Sequence, residues 1–266
     1  ADAARAHGAA HVLVAGDVFD DGRASRATLK SAMSRLRKHQ SITWHLLPGN
    51  HDAHREDGVF ARAAAEGVPE NVRLHLDAAA SEIAAGVFVI AAPLGGRASE
   101  RDPTAFMDTI ATADGTTRIG LAHGSVRGFG SDASAAIRID PGRSASAGLG
   151  YLALGDWHGT LRVDDRCWYS GTPEPDSFTA NDKGNALFVS LASATAAPRV
   201  EVVPTGHFNW IELAVSITED EALGTVTKML ADSRTPAERV LLRLALSGSC
   251  SVARRRELAL AIDDLA

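Results

Sequence analysis

The chain has 266 residues, 45% of them hydrophobic, enough for one sizeable core with room for a second small domain. A net charge of −6, from 27 Lys and Arg against 33 Asp and Glu, excludes a global basic field; any nucleic-acid role needs local patches or bound cations. Two distant cysteines, Cys167 and Cys250, exclude a disulfide framework and a thiolate zinc site. With no run of membrane-spanning length and no signal-peptide pattern at residues 1–7, a cytoplasmic protein without membrane contact is expected.

Asp2–Ala10 reads as the end of a helix running into a strand, His11–Ala15; an alternating β/α chain that opens in this way points to an N-terminally truncated domain. The first strand ends at Gly16-Asp17-Val18-Phe19-Asp20, with a carboxylate at the edge where open α/β sheets bind ligands. Ser25–His39 has helical periodicity through Leu29, Met33 and Leu36, with Ser25 as cap. A strand over residues 42–47 delivers Pro48-Gly49-Asn50-His51-Asp52, followed by a short helix, Asp57–Glu66, and strands at Val72–Leu76 and Val87–Ala91. Ser99–Ala113 is expected to be helical, Arg118–Ala122 a strand ending at His123-Gly124, and residues 125–150, rich in Gly, Ser and Ala, a long active-site loop. Tyr151–Leu154 leads into Gly155-Asp156-Trp157-His158, and strands follow near Ala186–Leu191 and Val200–Val203. Pro204-Thr205-Gly206 marks a boundary between residues 1–205 and a small β-α-β-α unit, 206–266: strand Phe208–Ile217, helix Glu219–Ala231, strand Arg239–Leu246, helix Val252–Leu265.

The chemistry collects at strand ends. Asp17, Asn50 with His51, His123, and Asp156 with His158 offer carboxylate, amide and imidazole, a mixed oxygen and nitrogen donor set suited to manganese, iron or zinc rather than calcium. The donors outnumber the needs of one ion. A two-metal site fits them better, with Asp17 bridging ions ~3.5–4 Å apart and an acidified water as nucleophile. Gly128-x-Gly130 lacks the strand and helix of a dinucleotide fingerprint, and Ser125 lacks a nucleophile elbow. His7, His11, His39, His45, His75 and His207 are expected in packing or surface roles, whereas His54 lies close enough to His51 to flank a substrate path. Arg254-Arg255-Arg256 reads as an exposed helical face.

In order along the chain, Gly16-Asp17-x-x-Asp20, Gly49-Asn50-His51-Asp52, Ala122-His123-Gly124 and Gly155-Asp156-x-His158 resemble the calcineurin-like metallophosphoesterases. Tyr169-Ser170-Gly171-Thr172-Pro173-Glu174-Pro175 is similar to the segment after the last metal motif in the SbcD-like DNA-repair exonucleases, and the C-terminal unit is similar to their capping domain. The resemblance implies an α/β fold, an α/β/β/α sandwich with a small α+β cap, and two divalent metal ions. Asp17 would bridge, Asn50 and His123 would hold one ion and His158 the other. His51 would be the proton donor with Asp52 behind it, and Asp20 would orient the site.

Two departures stand out. Asp156 replaces the histidine of the family's last motif, adding negative charge that favours manganese. The opening Asp-x-His motif is absent, since Asp2 and His7 have the wrong spacing; one competent and one crippled metal position are therefore expected. The expected activity is metal-dependent phosphodiester hydrolysis on DNA, with Trp157 and the 125–150 loop shaping access. A homodimer and a coiled-coil ATPase partner are implied by the resemblance alone. The alternatives are hydrolysis of a small nucleotide or other phosphoester, and a non-catalytic member that binds DNA or a partner.

Overall fold

The structure is a computed structural model and describes residues 1–128, 137–178, 184–217 and 236–263. It is mixed α/β and divides into two units, residues 1–173 with 185–204, and residues 174–184 with 205–266. The chain passes between them at 173/174, 184/185 and 204/205, so residues 174–184 belong with the second unit.

In the first unit, α1 (Asp2–Ala6) precedes β1 (His11–Val14), α2 (Arg26–Arg37), β2 (Thr43–Leu46), α3 (Val59–Glu66) and β3 (Val72–Leu74). The strands form a parallel sheet in the order β1-β2-β3, with Val12 opposite Trp44 and His45 opposite Arg73. Ser25 caps α2 as its sequence suggests, its hydroxyl accepting the Thr28 N–H at 3.1 Å. Leu29 and Met33 of α2 and Phe60 and Ala63 of α3 bury their apolar faces with Leu46 and Val72, which joins both helices to this sheet.

A second sheet runs β10-β11-β9-β6-β5-β4. Its strands are β4 (Ala79–Ala84), β5 (Val87–Ala92), β6 (Thr117–His123), β9 (Tyr151–Gly155), β10 (Leu161–Arg162) and β11 (Cys167–Tyr169), parallel from β5 to β11. Leu47 meets Val89, Ala91 and Leu121 in a core to which Leu13 and Ala153 also contribute, packing the two sheets together. Ile90, Leu152 and Leu154 pack with Met107, Ala147 and Leu149 in another cluster. β12 (Asn185–Ser190) and β13 (Arg199–Pro204) form a separate antiparallel pair.

Three local expectations change. The helix expected over Ser99–Ala113 is only a 3₁₀ turn, Ala105–Asp108. Asp102 ties the Thr104 N–H and hydroxyl to its own carboxylate, and the Arg118 guanidinium binds the carbonyls of Met107 and Ile110, so side chains replace helical bonding. Part of the segment read as a 125–150 loop is regular: β7 (Ser125–Val126) pairs with β8 (Arg138–Ile139), and α4 spans Arg143–Ser146. The buried Arg143 anchors it through Asp102, Asp108 and Thr104. The edge strand β4, Ala- and Ser-rich, was not anticipated.

The second unit contains β14 (Asn209–Ile217) and β15 (Val240–Gly248), paired in parallel, and α5 (Val252–Asp263). The expected helix Glu219–Ala231 lies outside the described residues. Phe178 packs edge-on against Trp210 at 4.8 Å, Arg243 sits 4.3 Å over the Phe178 ring, and Glu174 accepts the His207 and Phe208 N–H groups. Among the described residues no helix is long and apolar enough to cross a membrane.

Candidate metal centre

His123, the last residue of β6, is buried, and its ring is oriented by the backbone: Nδ1 lies 2.8 Å from the Ala15 carbonyl oxygen. A carbonyl only accepts, so Nδ1 carries the proton and Nε2 of the neutral ring keeps its lone pair. That lone pair faces Asn50 Oδ1 at 3.0 Å, Asp17 Oδ2 at 3.3 Å and Asp156 Oδ1 at 3.7 Å. Four acceptor atoms thus converge with no hydrogen among them, an arrangement that a proton or a cation stabilises.

The titration behaviour follows from the same crowding. Burial works against a charged His123, but the hydrogen bond and charge of Asp17, with help from Asp156, outweigh it and raise the histidine above its ordinary pKa. For Asp17 burial again opposes charge, and the His123 contact together with the His51 N–H at 3.0 Å holds the carboxyl below its usual range.

Close backbone approach makes the convergence possible. A Cβ on Gly49 would collide with the Asp17 carboxylate and come within 2.5 Å of its backbone nitrogen, and one on Gly155 would strike the Ala15 carbonyl. Asp17 and Asp156 occupy positive φ, 51° and 101°, which turns their carboxylates back toward His123. Ser125 steadies the second of these, its hydroxyl donating to Asp156 Oδ2 at 2.6 Å.

Asp52 differs from expectation. It is fully buried, but its Oδ1 accepts the Gly49 N–H at 2.7 Å and its Oδ2 the Phe19 N–H at 3.0 Å, so it clamps the two turns together rather than backing the His51 ring. Burial, only partly offset by these bonds, raises its pKa. The His51 ring is half exposed and oriented by the Asp20 carbonyl, 3.1 Å from Nδ1; the Asp20 carboxylate, fully in solvent, is 3.7 Å away. Asp20 therefore orients the ring through its backbone.

His158 lies in the exposed turn after β9, its carbonyl accepting the Thr172 N–H at 2.9 Å, and Trp157 beside it is 42% exposed. His54 is fixed by its N–H to the Leu94 carbonyl at 2.7 Å, while its ring Nδ1 is buried without a hydrogen-bond partner. Ser125, the Ala15 carbonyl and Phe19 N–H are the participants that sequence reading missed. Only Ser125, two residues after His123, gave a local signal.

Among the described residues no group of three histidine, cysteine or carboxylate side chains is placed to hold a metal ion. By donor type alone, Asn50, Asp17, Asp156 and His123 offer the mixed oxygen and nitrogen ligands that a divalent transition-metal ion accepts.

The family profile of the calcineurin-like phosphoesterases matches residues 1–139, which include Asp17, Asn50, His51 and His123. No curated protein matches the chain. With more than half of its length matched, the chain belongs to the calcineurin-like phosphoesterase family, whose members are hydrolases that generally use divalent metal ions.

Proposed function

We propose that this phosphoesterase hydrolyses phosphodiester bonds in DNA in the manner of a repair exonuclease, with manganese as its preferred ion. The observation that carries the reading is the convergence of Asn50, Asp17 and Asp156 on Nε2 of His123. These four residues would hold the competent metal position, and Asp17 and His158 would serve the second. A bound cation supplies Lewis-acid stabilisation of the phosphoester and acidifies water. His51, half exposed with its Nδ1–H on the Asp20 carbonyl, presents Nε2 to a leaving oxygen, and the doubly protonated ring would donate its second proton there. Trp157 offers an exposed ring on which a base can stack.

The proposal includes the α/β/β/α sandwich of the family, a capping role for the C-terminal unit, a cytoplasmic location, and assembly as a homodimer with a coiled-coil ATPase. The test is incubation of purified protein with manganese and linear duplex DNA, in parallel with small phosphoesters. Metal-dependent DNA shortening is expected. Turnover of small phosphoesters with DNA left intact would replace the proposal with a small-substrate phosphatase, and steeply salt-dependent DNA binding without hydrolysis under any divalent ion would replace it with a binding protein.

A further inference from the structure

Tyr169 closes β11 and is buried, yet nothing in the phosphoesterase chemistry uses its phenol. β11 pairs in parallel with β9, which places Tyr169 opposite Leu154, two residues before Asp156. On the other side of β9 runs β6, with His123 opposite Gly155. The tyrosine belongs to the core cluster that holds Leu154 and Val126, and its hydroxyl reaches the turn that follows His123.

There it makes two hydrogen bonds, donating to the Gly124 carbonyl at 2.8 Å and accepting the Val126 N–H at 2.9 Å. Those groups belong to the two peptide planes on either side of Ser125, so one phenol fixes both backbone dihedrals of the serine. The β7–β8 ladder does not compete for them: the Ser125 and Arg127 N–H groups donate to the Ile137 and Ile139 carbonyls, and the Val126 N–H points the other way. Held in this way, Ser125 donates its hydroxyl to Asp156 Oδ2 at 2.6 Å, a short bond strengthened by the charge of its acceptor. With Oδ2 engaged, Oδ1 is the oxygen that faces His123 Nε2, at 3.7 Å. Asp156 depends on outside restraint because its φ of 101° is a conformation that side chains rarely adopt.

We propose that Tyr169 is a positioning residue of the candidate metal centre, acting through Ser125 on the Asp156 carboxylate, a role that rests on the metal reading of the centre but not on the identity of its substrate. Tyrosine suits the task because its hydroxyl gives one hydrogen and takes another at a buried turn. Phenylalanine fills the same space but leaves the Gly124 carbonyl and the Val126 N–H without that partner, which frees the serine between them. Loss of the serine hydroxyl alone frees the same carboxylate one step later.

The test is manganese titration of the whole protein by calorimetry, with Tyr169→Phe, Ser125→Ala and the double variant, at a temperature where circular dichroism shows each folded. Both single variants should bind manganese about 10–100-fold more weakly, the range for losing a group that orients a metal ligand. The double variant should bind no more weakly than Ser125→Ala alone, because the phenol acts through that serine. Ser125→Thr keeps the hydroxyl and should retain wild-type affinity. In metal-free protein, exchange of the Val126 amide should accelerate in Tyr169→Phe and stay slow in Ser125→Ala. Additive losses in the double variant overturn the proposal and assign Tyr169 to the fold alone. Wild-type affinity in Ser125→Ala overturns it whether or not Tyr169→Phe folds, as does wild-type affinity in a folded Tyr169→Phe. A wild-type protein that binds no manganese overturns the metal reading itself, and this role with it, a result distinct from any difference among the variants.

Discussion

Asp17 meets two demands at once, positive φ and a carboxylate aimed at Nε2 of His123. Asparagine tolerates the same backbone, so Asp17→Asn removes the charge without imposing new strain. Metal-dependent hydrolysis should fall to background, with manganese binding by calorimetry lost in parallel; wild-type rates in this variant would remove Asp17 from the centre. His51 stands outside the convergence, with only its backbone N–H on Asp17. His51→Ala should therefore keep manganese affinity while turnover drops by about 10²–10⁴-fold, the range of one general acid. Gly49 tests the packing beneath both, because a methyl there meets the Asp17 carboxylate and backbone nitrogen. Gly49→Ala should cost about 1–3 kcal/mol in urea unfolding and weaken manganese binding; an unchanged midpoint would show that the turn relaxes freely.

At the level of elements, three histidines cross the parallel sheet in a hydrogen-bonded chain: His11 Nδ1 to His45 Nε2 at 3.1 Å, and His45 Nδ1 to His75 Nε2 at 2.9 Å. Burial, with the neighbouring charges of His75, His11 and Arg73, lowers His45 to about 3. The unfolded chain takes up this proton below its ordinary value near 6.5 and the folded chain does not until about 3, so stability is fully present above 6.5 and is lost as pH falls through that window. The unfolding free energy from urea titrations should decline from pH 6.5 toward 4 by on the order of 1 kcal/mol per pH unit, and His45→Leu should flatten the slope. An unaltered slope would assign acid sensitivity elsewhere. This chain was not legible in the sequence, which placed His11, His45 and His75 in unconnected packing or surface roles, because register across three strands brings them together. The strand ends were legible: short apolar runs stopping at Asp17, Asn50, His123 and Asp156 announce both the sheet edges and the side chains that meet there. Ser99–Ala113 misled because helical propensity there yields to Arg118 and Arg143, whose partners lie outside the local pattern. The orienting Ala15 carbonyl was invisible for the same reason, lying 108 residues from His123.

For the whole molecule, the division of the chain makes a sharper demand than a single boundary near residue 205. Residues 174–184 leave the first unit and return, and the exit and re-entry points are adjacent, the Asn185 N–H donating to the Thr172 carbonyl at 3.0 Å. A chain cut after Pro204 retains Phe178 without Trp210 and Arg243, and Glu174 without the His207 and Phe208 N–H groups. It keeps an apolar ring stripped of its packing and gains nothing in exchange. Joining Pro173 to Asn185 through a short Gly-Ser linker removes the stranded segment and spans a gap already closed by a backbone hydrogen bond. The linked variant, residues 1–173 with 185–204, should unfold cooperatively and bind manganese like the whole chain, since Asp17, Asn50, His123 and Asp156 all lie within it. The plain truncation should show a lower melting temperature and stronger binding of an apolar dye. If the truncation matches the linked variant in both measurements, residues 174–184 contribute nothing that depends on the second unit, and the boundary reduces to the single cut.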